Sequence, residues 1–257
     1  MGECSTDVGV DCRSCVAFRA PAIIVEAESF VGIFDDFLEL LKAAPATENH
    51  IIASLDVLSL FTNVPVNRTI QLILDRVYIC EDTKSLAIPE EHLRTLLEIC
   101  NKEAPFTCPR GNLYRQIDSV AMGSPVGVLF ANFFMGSIEA TTLQDRRPSI
   151  YGSYADDIFI RVKDADELLN LKQRLTTSSR LRFTHEEATE GHLPFLDVMV
   201  SACNSGFKTT VYVKDANKGL CLNSNSECPE RYTRSTINAY IRRALPLLLL
   251  EKRPLRA

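Results

Sequence analysis

Ile150-Tyr151-Gly152-Ser153-Tyr154-Ala155-Asp156-Asp157-Ile158-Phe159-Ile160-Arg161-Val162 is two short apolar runs divided by Ala155-Asp156-Asp157, the pattern of a hairpin with carboxylates at its tip. Far upstream, Ile51-Ile52-Ala53-Ser54-Leu55-Asp56-Val57 has the look of a buried strand with its own aspartate at the end. A carboxylate there is costly unless it is solvated or holds a cation. Helical spacing covers Ser29 to Lys42, where Phe30, Ile33, Phe34, Phe37, Leu38 and Leu41 share a face. It returns over Thr69–Cys80 and Glu90–Lys102, the latter opened by Pro89. Phe106–Cys108 and Leu113–Ile117 flank Pro109-Arg110-Gly111-Asn112 as a second hairpin.

A largely apolar helix is expected from Pro125 to Thr142, and another after Asp164. Strands are expected at Leu181–His185, Phe195–Val200 and Lys208–Val213, and a last helix over Thr233–Leu250 with a break at Pro246. The order predicts an α+β fold of the ferredoxin-like, split βαβ kind, an antiparallel sheet covered by helices. In such a sheet the first strand and the aspartate hairpin are neighbours, so their carboxylates converge.

The 257 residues are 46% hydrophobic and 24% charged, which excludes a disordered, collagenous or coiled-coil chain. The run Leu245-Pro246-Leu247-Leu248-Leu249-Leu250 falls far short of the ~20 residues of a membrane span. Asp7, Asp11 and Arg13 interrupt any secretory h-region. An intracellular protein, nuclear or cytoplasmic, without a membrane partner, is the expectation. Nine scattered cysteines argue for reduced thiols, and Cys12-x-x-Cys15 has no second half at zinc spacing. The net charge of −5 conceals a gradient: residues 1–55 carry nine acids and three bases, whereas residues 201–257 carry ten bases and four acids. An acidic centre with a basic flank differs from a uniformly basic nucleic-acid coat protein. It suits a site that gathers carboxylates for metal and phosphates on its flank.

Paired hard oxygen donors suit Mg²⁺, and two such ions bracket the attacking and leaving oxygens of an in-line phosphoryl displacement. An Asp-Asp pair alone says little. Asp35-Asp36 lies in an amphipathic helix, where a solvated face explains it. Asp56, Asp156 and Asp157 differ because apolar strands present them.

The segments Ser54-Leu55-Asp56-Val57-Leu58-Ser59-Leu60-Phe61-Thr62-Asn63-Val64-Pro65, Gln116-Ile117-Asp118-Ser119-Val120-Ala121-Met122-Gly123-Ser124-Pro125 and Tyr154-Ala155-Asp156-Asp157 resemble motifs A, B and C of reverse transcriptases, specifically those of Penelope-like retroelements. Arg182-Phe183-Thr184-His185-Glu186 and Leu193-Pro194-Phe195-Leu196-Asp197-Val198 are similar to the segments that follow. The resemblance implies the palm of a right-hand RNA-directed DNA polymerase over residues 29–200. Residues 1–28 are then an irregular arm without recognisable fingers, and residues 201–257 a basic hairpin and helix where a thumb would begin. It further implies Asp56 and Asp156 as the metal-binding pair, with Asp157 beside them and the Val57 main-chain carbonyl as a further ligand. Two Mg²⁺ ions would be held, with Mn²⁺ as a substitute. Phe61 matches the ring that excludes a 2′-OH, and Gly123, Ser124 and Pro125 match the turn that approaches template and nucleotide. The partners would be an RNA or DNA template with primer, and dNTPs. Three positions depart from the pattern: Ser119 in place of the usual Gly, Val128 in place of the usual Pro, and Ala155 before Asp156 where Val is common. The alternative is an inactive retroelement remnant that at most binds nucleic acid.

Overall fold

The computed structural model describes residues 30–45, 50–79, 87–102, 105–107, 111–115, 118–121, 124, 126–203, 206–214, 222 and 227–251. Its elements are α1 (Phe30–Ala43), β1 (Ile51–Val57), α2 (Leu60–Asn63), α3 (Val66–Tyr78), α4 (Glu90–Lys102), β2 (Pro105–Thr107), β3 (Leu113–Arg115), α5 (Gly127–Thr142), β4 (Ile150–Tyr154), β5 (Asp157–Val162), α6 (Ala165–Ser179), β6 (Phe183–Glu187), β7 (His192–Phe195), β8 (Val198–Cys203), β9 (Gly206–Val211) and α7 (Glu230–Glu251). The main sheet runs β4-β5-β1-β6, with antiparallel pairing throughout. β5 is inserted between β4 and β1, which is the split βαβ order. β2 and β3 form a separate hairpin, and β7-β8-β9 a second antiparallel sheet.

Strand alternation divides the core into two layers. Ala53, Leu55 and Val57 of β1 and Ile158, Ile160 and Val162 of β5 face one layer, filled by α3, α5 and α6. α3 reaches it with Val66, Thr69, Ile70, Ile73, Leu74 and Val77, the three-and-four spacing of an amphipathic helix. Ile52, Phe159 and Ile150 face the other way, against Phe37, Leu38 and Leu41 of α1 and Leu193, Phe195, Val198 and Val200 of the second sheet. Arg161 is buried on this side. Its guanidinium donates to the Ser149 hydroxyl (2.9 Å) and the Pro45 carbonyl (2.7 Å) and lies over the Phe207 ring. α6 has a reciprocal N-terminal cap: Asp164 Oδ1 accepts from the Glu167 N–H (2.8 Å), and Glu167 Oε2 from the Lys163 N–H (2.8 Å).

Several boundaries differ from expectation. The strand expected over Phe195–Val200 is two strands, because Leu196 takes a left-handed φ of 54° and turns β7 back onto β8. The single-turn α2 was not anticipated, and α3 begins three residues early. β6 starts at Phe183 rather than Leu181. α7 passes through Pro246 without ending; a proline removes one N–H from a helix without preventing its continuation when flanking turns hold. The expected domain boundary after residue 200 falls inside β8. Among the described residues no helix is long and apolar enough to cross a membrane.

α5 carries one acid into the helical layer. Glu139 is 3% exposed and accepts from the hydroxyls of Ser153 (3.1 Å) and Tyr151 (3.1 Å) on β4. Burial pushes its carboxyl from 4.5 up to about 7, against the pull of those two hydroxyls and of the Arg147 charge. The folded chain therefore holds this proton more tightly than the unfolded chain. Stability from this group falls as pH rises from about 4.5 to about 7. Glu139→Gln is expected to be more stable than the parent by about 3 kcal/mol at pH 8, and within about 1 kcal/mol of it at pH 4. Urea denaturation at the two pH values checks this, and equal gains at both would reject titration of Glu139 as the cause.

Candidate active site

On β1 the residues that do not enter the helical layer are Ile52, Ser54 and Asp56. Antiparallel register sets Asp56 opposite Asp157 of β5 on one side and opposite Thr184 of β6 on the other. Directly opposed residues share a face, so the sheet presents a row Asp157, Asp56, Thr184. The Thr184 hydroxyl lies 3.4 Å from Asp56 Oδ2 and 3.5 Å from the Asp56 carbonyl. Asp156 occupies the two-residue turn before β5, after Ala155 at φ 50°, and its carbonyl accepts the Val57 N–H at 2.9 Å. α1 and the second sheet cover Ile52 and Phe159 lower on this face, while Asp56, Asp156 and Asp157 stay half-exposed beyond them.

The three carboxylates feel one another. Burial, then the charges of Asp156 and Asp56, push the Asp157 carboxyl up from 3.8 to about 6, and only Lys214 acts in the opposite direction. Burial, then the charges of Asp156 and Asp157, raise the Tyr154 phenol. Crowded carboxylates at the accessible ends of the two central strands are the donor chemistry of a hard divalent cation, whose charge would relieve their repulsion. Among the described residues no three His, Cys, Asp or Glu side chains are yet gathered into a group that could grip an ion.

The chain after Asp56 turns at Ser59, with φ 56°, into α2. Phe61 is partly buried against the helical-layer core. Its carbonyl accepts the Val120 N–H at 2.9 Å, and its ring edge would lie 3.6 Å from a Cβ on Gly127. Thus Phe61 sits where the segment after Asp56 meets the start of α5. Ser119 has φ 71°, a conformation open to glycine and strained for serine, which gives the substitution at this position a physical cost. Ser119→Gly is expected to raise stability by about 1 kcal/mol, read as a higher urea midpoint with an unchanged slope. A lower midpoint would show that the serine side chain outweighs the strain.

Ser124 donates its N–H to the Ala121 carbonyl (3.1 Å) and accepts from the Gly127 N–H (3.0 Å), and its Oγ is enclosed without a hydrogen-bond partner. Gly123 and Pro125 lie outside the described residues, as does the Cys12–Cys15 pair.

The four-stranded order with aspartates on its open half decides the architecture. The fold is a polymerase palm. The telomerase from Candida albicans in complex with a TWJ fragment of telomeric RNA is similar at a TM-score of 0.53 and 10% identity, over 75% of this chain and 36% of that one. The telomerase from Candida tropicalis with the same kind of RNA fragment is similar at 0.52 and 10% identity, over 86% of this chain and 38% of that one. The chain thus spans little more than a third of either telomerase. No family model and no curated protein sequence matches it.

The structure sets Asp56 opposite Asp157, with Asp156 at the adjoining turn and the charges of Asp56 and Asp156 acting on Asp157, and keeps Phe61 near the turn that precedes α5. His185 is on the opposite face, its Nδ1 3.0 Å from Lys172 Nζ, a paired surface histidine. Sequence reasoning missed three residues. Thr184 could have been found from the register once β6 was placed. Lys214 left no local signal beyond the basic flank. Asp118 was visible inside the Gln116-to-Pro125 segment, and its role depends on contacts across the chain.

Proposed function

We propose that this chain is the palm of an RNA-directed DNA polymerase of the Penelope-like retroelement kind, acting inside the cell on an RNA or DNA template with primer and dNTPs. The observation that carries the reading is Asp56 facing Asp157 across β1 and β5, with Asp156 at the adjoining turn, on the uncovered half of a palm sheet. Asp56 and Asp156 would hold two Mg²⁺ ions, or Mn²⁺ in their place, with the Val57 carbonyl as a further oxygen donor. Bound there, the ions supply charge neutralisation at the reacting phosphoryl oxygens. Asp157 adds negative potential that holds the cations, and Lys214 offers a counter-charge to phosphate. The primer 3′-oxygen forms its bond to the α-phosphorus as the bond to pyrophosphate breaks.

In this reading Phe61 bars the 2′-OH, while Gly123, Ser124 and Pro125 support the incoming nucleotide. The exposed first half of α7, with Arg231, Arg234, Tyr232 and Tyr240, belongs to the basic flank over residues 201–257 and would track duplex phosphates. The test is primer extension on an RNA template with dNTPs and Mg²⁺, comparing the parent with Asp156→Asn. Loss of extension with retained folding supports the reading; equal extension overturns it. Phe61→Ala is expected to increase ribonucleotide use relative to deoxyribonucleotide by on the order of ten- to a hundredfold, the scale of a steric sieve. Unchanged discrimination with lost stability would make Phe61 a core residue only.

A further inference from the structure

We infer that Asp118 is a positioning residue: it locks the turn that begins at Ser119 onto the segment Phe61–Val66 and thereby fixes the Phe61 ring, so that choice of nucleotide sugar depends on a carboxylate that touches no substrate. The inference rests on the proposed polymerase reading for its functional half and on geometry alone for its structural half. Asp118 Oδ1 accepts from the Val66 N–H at 3.1 Å and from the Ser119 N–H at 2.9 Å. Val66 is the first residue of α3, and its N–H has no partner within the helix. The preceding Pro65 brings no side-chain cap. Asp118 supplies that cap from 52 residues away, with a negative charge at the positive end of the helix dipole. Two residues on, the Val120 N–H donates to the Phe61 carbonyl at 2.9 Å. The segments are therefore tied twice, at Asp118–Val66 and at Val120–Phe61.

Phe61, whose carbonyl makes the second tie, also sets its ring near Gly127 at the start of α5. The Cβ position of Gly127 is 3.6 Å from Phe61 Cε1, 3.4 Å from Val120 Cγ1 and 3.4 Å from the Ala121 carbonyl oxygen. Ring, turn and α5 thus converge around Gly127 at ordinary van der Waals spacing. Ser119, held at φ 71° beside the carboxylate, is the bend that makes both ties reachable. Removing the Asp118 acceptor leaves the strain of Ser119 unopposed and an orphan N–H on α3, so the turn can draw away from Phe61.

The experiment combines backbone amide hydrogen exchange with single-nucleotide primer extension, on Asp118→Ala, Asp118→Asn and Val66→Pro. Val66→Pro removes the donor at a helix position that tolerates proline, so it tests the same tie should Asp118→Ala fail to fold. Asp118→Ala is expected to speed exchange at Val120 by about tenfold or more. It should also raise the KM for dNTP and relax discrimination against ATP each by about fivefold, with kcat within about twofold. Asp118→Asn, which keeps an acceptor oxygen, should recover most of both effects, and Val66→Pro should reproduce them. Unchanged exchange at Val120 in Asp118→Ala, unchanged discrimination alongside changed exchange, or an Asn variant no better than Ala would each overturn the inference. Parent incorporation that does not depend on Asp56 would instead sink the polymerase reading, and the exchange arm alone would then rule on whether Asp118 ties the two segments.

Discussion

Asp56→Asn is expected to cut Mg²⁺-dependent nucleotide incorporation by about a thousandfold or more, equivalent to about 4 kcal/mol of barrier, while leaving the fold as stable as before or more so. Asp56 lies across from Asp157 and beside the turn of Asp156, and these charges help hold Asp157 well above the usual carboxylate range. Removing one of them takes away a metal ligand and a repulsion together. Activity and stability should therefore move in opposite directions, which no loss of packing produces. Thermal unfolding in metal-free buffer, run beside primer extension with the same preparation, makes the comparison. An Asn variant that loses several degrees of Tm along with its activity would make Asp56 a structural residue. A parent whose unfolding midpoint does not respond to Mg²⁺ would count against metal binding at Asp56.

The largest effect on folding is expected at Phe159. The residue is fully buried on the same face and strand as Asp157, two positions further along. Its ring meets Phe37 of α1 at 5.3 Å edge-on, Phe195 of β7 at 5.5 Å and Phe207 of β9 at 6.3 Å. Three elements that are distant in sequence thus converge on one side chain. Phe159→Ala should cost about 3–5 kcal/mol in urea denaturation, the sum of lost burial and a cavity that α1 and two strands cannot all collapse into. Ile160→Val, its neighbour facing the helical layer, should cost only about 0.5–1.5 kcal/mol. A Phe159→Ala loss no greater than the Ile160→Val loss would mean that the second sheet does not depend on this ring.

Much of the palm was legible because its strands are short, unbroken apolar runs with charges only at their ends. β1 was placed to the residue, and β4 likewise, and the convergence of Asp56 with the hairpin aspartates followed from the split βαβ order. Which aspartate faces Asp56 was not legible. Placing both Asp156 and Asp157 at the hairpin tip treats them alike, whereas a turn of Ala155 and Asp156 alone puts Asp157 into the ladder opposite Asp56. Register is set by the turn, and one residue of shift exchanges the faces. Leu196 hid a chain reversal for a related reason, since a left-handed leucine inside an apolar run has no compositional mark. Glu139 was the lone acid of an apolar helix, in its last turn, a signal that could have been taken up. Asp118 could not be assigned from spacing, because what it caps lies 52 residues away.

The place of β1 in the sheet also bears on how the chain is made. Both of its ladder partners are encoded long after it: β5 ends at Val162 and β6 at Glu187. At ~5–20 residues per second of synthesis, Ile51–Val57 waits roughly 5–20 s before Asp157–Val162 emerges to pair with it. During that interval a seven-residue apolar segment with two open edges has no native neighbour, the condition under which nascent chains recruit chaperones or stick to one another. Asp56 is the only charge within the segment. The carboxylate proposed to hold metal in the finished sheet is thus also the one that keeps the unfinished strand apart from its copies.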